Sequence, residues 1–328
     1  MAADPGGDRP EETLAAQYAA ARSEAVFLEL PERGVLAVTG PHRQRFLHGI
    51  LSNDVQGRQP GQGCLAALMD VKGHLRALLR VLVRKDEVLL ETASDRLPEV
   101  ESTLLHYKVG APVRFGLRAS TVLGLIGPHG REALGGLGCE VPELAPESHV
   151  DGAIAGHEVL VARAGDLPAS SFVLHVEPAA AAVVAGALAS AGVGRLDRKA
   201  LDALRVEDGR PWYGTDIGPE NLLHETGLLS EYHSFTKGCY VGQEVIARLE
   251  GRGGHVNKVL RGLRLAAPSM AGEPVVADDK EIGRVTTSAV SPRLGPIAMA
   301  YVHRSHAALG TAVEAGGSTA TVVALPMA

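Results

Sequence analysis

Two apolar runs, residues 64–69 and 75–83, stand on either side of Asp70-Val71-Lys72-Gly73. Turn-forming residues between two such runs read as one strand returning beside another. A further strand is expected at 87–92. Another precedes them at 34–39, stopped by Gly40 and Pro41. Pro41 is well placed for the first turn of a helix, and Phe46, Leu47, Ile50 and Leu51 follow at helical spacing. Residues 97–107 read as a helix with Val100, Leu104 and Leu105 on one side. The order is then strand, helix, strand, strand, strand, helix. Hairpins mixed with helices in this way favour an α+β fold over a doubly wound parallel sheet.

The rest of the chain has two textures. Residues 12–23 are Ala-rich and free of breakers, which predicts a helix. Residues 122–126, 150–163 and 171–176 read as strands, and 129–137 and 179–191 as helices, so a second unit of the same flavour is expected. Asp197 is placed to cap a helix running to Glu207, with Leu201 and Leu204 buried and Gly209 and Pro211 ending it. Residues 212–236 read mostly as loop, and 244–250 as helical. From Val259 onward, short strand-like runs at 260–265, 274–277, 282–288, 298–302 and 319–324 are split by Gly, Pro and Asp. That pattern predicts a small β-barrel or sandwich. The expected organisation is a disordered tail at 1–11, two α+β subdomains at about 12–115 and 116–255, and a β-barrel at 256–328. A chain of 328 residues exceeds what one core usually holds, which agrees with several domains.

Charge and cysteine content narrow the function classes. With 32 basic and 38 acidic side chains the net charge is -6, which argues against a nucleic-acid partner. Cys64, Cys139 and Cys239 are far apart and form no C-x-x-C pair, so neither a disulfide framework nor a zinc knuckle is indicated. The 13 histidines include no H-x-x-x-H or H-E-x-x-H pair, so no metal site is expected. The polar N-terminus lacks the pattern of a signal peptide, and no apolar run approaches the length that spans a bilayer. A cytoplasmic protein without membrane contact is expected.

Three residues are candidates for chemistry. Cys239 follows Lys237 and Gly238 and precedes a predicted helix start. A helix N-terminus and a nearby ammonium both favour thiolate; the alternative is a small, partly buried apolar residue. Glu207 stands at a helix end, where the dipole disfavours a carboxylate. Some compensating use is one reading, a solvated acid the other. Asp54, in Ser52-Asn53-Asp54-Val55, reads on local grounds as a cap or turn. No G-x-S-x-G frame surrounds any serine, and Gly251–Gly254 lacks the ending of a phosphate-binding loop.

Lys237-Gly238-Cys239-Tyr240-Val241-Gly242-Gln243-Glu244 resembles the signature of the YgfZ family. Other segments resemble the wider aminomethyltransferase superfamily in the expected order. These are Tyr18 to Arg22, Val38 to Pro41 with Phe46 to Gly49, Ser52 to Val55, Arg205 to Gly209, Gly283 to Ser288, and Ser291 to Gly295. The resemblance covers nearly the whole chain after residue 12. It implies two intertwined ferredoxin-like subdomains that bind folate, followed by a small C-terminal β-barrel.

The resemblance also implies tetrahydrofolate as cofactor. Glu207 would hold the pterin through paired hydrogen bonds, Asp54 would lie near the reactive nitrogens, and Lys237 and Glu244 would belong to the same site. The aminomethyltransferases read K-G-x-F-I-G-R-E where this chain has Cys239, Tyr240 and Gln243, which favours the YgfZ branch. That branch implies folate-dependent assembly or repair of iron–sulfur clusters through Cys239, with transient iron–sulfur client or assembly proteins as partners. Because Asp54 is retained, an aminomethyl or N-methyl transferase stays open, and a non-enzymatic scaffold on the same fold is a third reading.

Overall fold

The structure is a computed structural model that describes residues 13–328. The tail expected at 1–11 lies outside the described residues. The chain opens with α1 (Leu14–Ser23), capped by the Thr13 hydroxyl, which accepts from Ala16 N. Then come β1 (Val26–Glu29), β2 (Arg33–Thr39), α2 (Arg43–His48), β3 (Gly63–Met69), β4 (Leu75–Val83), β5 (Glu87–Ala93), α3 (Leu97–Tyr107) and β6 (Arg114–Arg118). A second group follows: β7 (Thr121–Ile126), α4 (Gly130–Gly136), β8 (His149–Ile154), β9 (His157–Arg163), β10 (Ser171–Val176), α5 (Pro178–Ser190), β11 (Gly194–Arg195) and α6 (Arg198–Glu207). Two short helices, α7 (Leu229–Tyr232) and α8 (Gln243–Glu250), lead to β12 (Lys258–Leu265), β13 (Pro274–Ala277), β14 (Lys280–Ser291), β15 (Gly295–His303), β16 (Ala312–Ala315) and β17 (Ser318–Val323).

These strands make two open sheets and a closed barrel. The first sheet runs β3-β4-β5-β2-β6, the second β11-β1-β7-β10-β9-β8, and the barrel β12-β15-β14-β13-β16-β17. The α+β class and the C-terminal barrel are as the sequence predicts. Strand β1, which was not expected, leaves the N-terminal segment and pairs with β7 and β11 in the second sheet. The two units are interlocked through it. Strands β6, β11 and β16 were also unforeseen: β6 is exposed along most of its length and β11 has two residues, so neither carries an apolar pattern.

Three apolar clusters explain the layering. Val35, Leu82 and Leu89 of the first sheet meet Val122, Leu160 and Val173 of the second in one core. Leu47 of α2 and Val100 and Leu104 of α3 cover the outer face of the first sheet. Leu134 of α4 and Val184 and Leu188 of α5 cover the outer face of the second. Each sheet is thus buried on both faces, which is why β3 and β4 read as near-continuous apolar runs. Leu105, expected beside Val100 and Leu104, points outward and is 52% exposed. No helix of the described residues is long and apolar enough to cross a membrane.

Candidate functional site

The octapeptide from Lys237 to Glu244 forms a pinned surface loop. Ser234 N donates to Ser52 O at 3.1 Å at one end. At the other, Gly242 has φ 83°, and a Cβ there would lie 2.7 Å from Asp70 O. In between, the Lys237 ammonium donates to the carbonyls of His48, Leu51 and Asn53, the last at 3.2 Å. Three N–H donors meet three carbonyls where α2 ends, which suits the negative end of a helix. Burial pulls Lys237 down to about 8, against the pull of Asp54 and Cys64. Its charge is therefore spent on the main chain rather than offered to a thiol or a ligand.

Cys239 is exposed in this loop, while Cys64 and Cys139 are buried. Burial pushes the Cys64 thiol up to about 12. Glu244, in the first turn of α8, is 79% exposed and pairs with Arg248, so it is a solvated acid at a helix start. The Asp54 carboxylate is 39% exposed, lies 2.9 Å from His48 Nδ1 and accepts from Gly57 N. Asn53 beside it is the buried member: its amide donates to Leu65 O and Glu231 O. Asp54 and Lys237 thus lie together beneath the Cys239 loop, and Glu207 does not join them.

Glu207 is placed differently from expectation. Its carboxylate is wholly buried and accepts from Tyr18 Oη at 2.8 Å, Arg22 Nη2 at 2.9 Å, Arg293 Nη2 at 3.1 Å and the Ser291 hydroxyl. Its carbonyl accepts from Met327 N. An open carboxylate facing a ring is therefore not what the fold presents: Glu207 joins α1, α6 and the barrel. The sequence marked the right anomaly, an acid at a helix end, and the compensation is two guanidiniums.

A cleft that the sequence reading missed lies where the two sheets meet the segment after α6. Arg33, Arg80, Asp166, Trp212, Tyr213 and Tyr232 line it, with about 40 Å³ free. Trp212 is ringed by guanidiniums, with Arg198 at 4.6 Å, Arg205 at 5.2 Å and Arg33 at 5.3 Å from its ring. Beneath it Arg33 Nη1 binds Asp166 at 2.8 Å and Glu91 at 3.0 Å, and Glu91 lies 3.0 Å from His175 Nε2. Burial alone would raise the Glu91 carboxyl; Arg80, His175 and Arg33 hold it well below the usual carboxylate range. The available signal was Arg80 and Glu91, charged residues inside runs otherwise apolar enough to be buried.

Two interlocked open sheets followed by a closed six-stranded barrel define the architecture, and sequence comparison places it in a family. A model described as the GCVT N-terminal domain matches residues 8–231, and one described as the glycine cleavage T-protein C-terminal barrel domain matches residues 258–327. The chain belongs to this aminomethyltransferase superfamily. An aminomethyltransferase of Streptomyces avermitilis is 31% identical, the alignment covering 94% of this chain and 88% of that one. One from Saccharopolyspora erythraea is 30% identical over 92% and 84%. The crystal structure of glycine cleavage system aminomethyltransferase T from Bartonella henselae superposes with a TM-score of 0.85 at 22% identity, covering 95% of this chain and 89% of that one. At that identity the likeness speaks for the fold. Aminomethyltransferases of this family use tetrahydrofolate.

Proposed function

We propose that this chain binds tetrahydrofolate in the Trp212 cleft and supports assembly or repair of iron–sulfur clusters through Cys239, as the YgfZ branch of the superfamily does. The observation that carries the branch is the setting of Cys239: an exposed thiol on a loop fixed at Ser234, Lys237 and Gly242, while the other two cysteines are buried. A lone thiol cannot hold a cluster by itself, so contact with client or assembly proteins is transient.

The lining of the cleft suits a folate. Trp212, Tyr213 and Tyr232 offer aromatic faces, and Arg33 a fork for a carboxylate. Trp212 Nε1 and Arg80 Nη1 are buried without hydrogen-bond partners, which is the condition that a polar ligand or water relieves. The free space of about 40 Å³ is room for water rather than a pterin, so entry requires side chains to move. When bound, tetrahydrofolate supplies nitrogens that carry one-carbon units. The chain's own residues bind its ring and tail and keep water away.

Calorimetric titration with tetrahydrofolate tests the binding. Wild type binds, and Arg33→Ala weakens binding by about tenfold, one charge-assisted contact; no heat from wild type removes the folate reading. For Cys239, iron–sulfur enzyme activities are compared in cells carrying Cys239→Ala and in cells lacking the gene. A defect in the second with none in the first sinks the role given to the thiol.

A second reading, a one-carbon transferase, is favoured by the relatives named aminomethyltransferase and by the His48–Asp54 pair at 2.9 Å. Burial and the charge of Lys237 lower the His48 pKa, which suits a neutral base. Methylene-tetrahydrofolate formed from a purified aminomethyl donor, and lost in Asp54→Asn, would establish it.

A further inference from the structure

The barrel and the segment that follows α6 leave a second cleft between them, with about 1220 Å³ free. Tyr213, Ile217, Glu220 and Glu225 form one wall, and Lys258 of β12 and Tyr301 of β15 stand on the other. Tyr301 is 8% exposed, and its hydroxyl is buried without a hydrogen-bond partner. Burial, with Glu225, Asp216 and Glu220 nearby, pushes this phenol up, so it stays protonated and remains a donor. Two of these carboxylates are already committed. Asp216 accepts from Arg205, from Trp212 N and from the hydroxyls of Thr286 and Thr287. Glu225 Oε2 accepts from Asn221 Nδ2 and Leu222 N. Lys258 is loosely held: its ammonium stands 3.8 Å from Glu225, beyond hydrogen-bond reach, and 4.8 Å from the centre of the Tyr301 ring. Glu220 is exposed at the rim and has no hydrogen bond or ion pair among the described residues.

A buried hydroxyl without an acceptor is costly, and a ligand or an ordered water relieves it. The Tyr301 O–H and the Lys258 ammonium lie within reach of one another and together offer donors to a single carboxylate. A bare anion is disfavoured there, because three carboxylates stand around the phenol. A ligand that also carries a cation answers Glu220 and removes that objection. We propose that this cleft binds an α-amino acid with an apolar side chain, its carboxylate on Tyr301 Oη and Lys258 Nζ and its ammonium on Glu220. Ile217, Ile282 and Tyr213 line the rest of the cleft and suit such a side chain. The site is distinct from the Trp212 cleft, although Tyr213 lines both. It does not rest on the folate reading.

The test is calorimetric titration of the full chain with three compounds of one shape. They are L-leucine, isoamylamine, which lacks the carboxylate, and 4-methylpentanoate, which lacks the ammonium. L-Leucine binds, and each half-ligand binds about tenfold or more weakly than it does. Tyr301→Phe keeps the ring, which packs with Leu260 and Met299, and removes only the hydroxyl. Because that hydroxyl has no partner in the free protein, the variant is expected to fold with an unchanged thermal midpoint. It binds L-leucine about tenfold more weakly, the loss of one charge-assisted bond. Glu220→Gln abolishes the preference for L-leucine over 4-methylpentanoate. Absence of heat with L-leucine overturns the proposal, as does equal binding of either half-ligand by wild type. Wild-type affinity in Tyr301→Phe also overturns it, and a lowered midpoint beside that unchanged affinity gives the hydroxyl to stability instead.

Discussion

Glu207 ends α6, where the helix dipole disfavours a carboxylate, and it is buried as well. Only strong partners make that position tolerable, and Tyr18, Arg22, Ser291 and Arg293 supply them. Glu207→Gln keeps the shape and removes the charge that both arginines answer. It destabilises by about 2 kcal/mol, the range for a hydrogen bond to a charged group, read as a lower urea midpoint with an unchanged slope. The sequence exposes the anomaly but not the partners, because Arg22 is 185 residues away and Arg293 is 86. Lys237 shows the same limit. Its place in the octapeptide was legible, its use as a clamp on three carbonyls was not. Lys237→Met leaves those carbonyls short of a donor and frees the Cys239 loop. Amide exchange across residues 234–242 is expected to accelerate by about tenfold, equivalent to losing about 1.4 kcal/mol; unchanged exchange would show that Lys237 holds nothing.

At the scale of elements, legibility followed apolar pattern. Helix α3 occupies the expected 97–107 because its spacing is periodic and Pro98 suits a first turn. Asp197 caps α6 as expected, accepting from Ala200 N at 2.8 Å. Strand β1 was missed because four residues between a helix and Pro31 carry no period, and its strand character comes from β7 and β11. The charges of the inter-sheet network were missed for a related reason: β4 and β5 were read by their apolar residues, and the buried Arg80 makes sense only once Glu91, Glu147 and Asp166 are in place around it. The loop before α8 gives a sharper case. Gly242 adopts φ 83° with the main chain of Asp70 against it, so both backbone and space require glycine. Gly242→Ala is expected to cost about 2 kcal/mol and to raise the alkylation rate of Cys239 by loosening the loop. A fall in thermal midpoint of less than a degree would contradict it.

The whole molecule is held together across its parts by polar contacts set in apolar surroundings. The barrel meets α6 through Val206 against Leu260, Ile297 and Met299. Arg205 and Asp216 add bonds to Thr286 and Thr287. The two sheets meet through their shared apolar core and the Arg80 network, and at the edge His149 N donates to Gly61 O at 2.8 Å. His149 is 7% exposed, and burial, reinforced by Arg84 and His175 and opposed by Asp151, pushes it from 6.5 down to about 4. Its neutral form is the one the fold accepts. A histidine depressed in the fold binds fewer protons there than in the unfolded chain between those two values, so stability falls as pH drops through that window. Above about pH 6.5 the contribution is complete, and at pH 4 about 2 kcal/mol is lost after allowing for partial solvent screening. Carboxylates held low, such as Glu91, lose their contribution as pH falls through the ordinary carboxylate value near 4.5 and below. Chemical denaturation between pH 7 and pH 4 should therefore show a downward slope that His149→Gln, which cannot take a proton, flattens. An identical slope in the variant would assign the acid sensitivity to other groups and leave the edge between the sheets indifferent to pH.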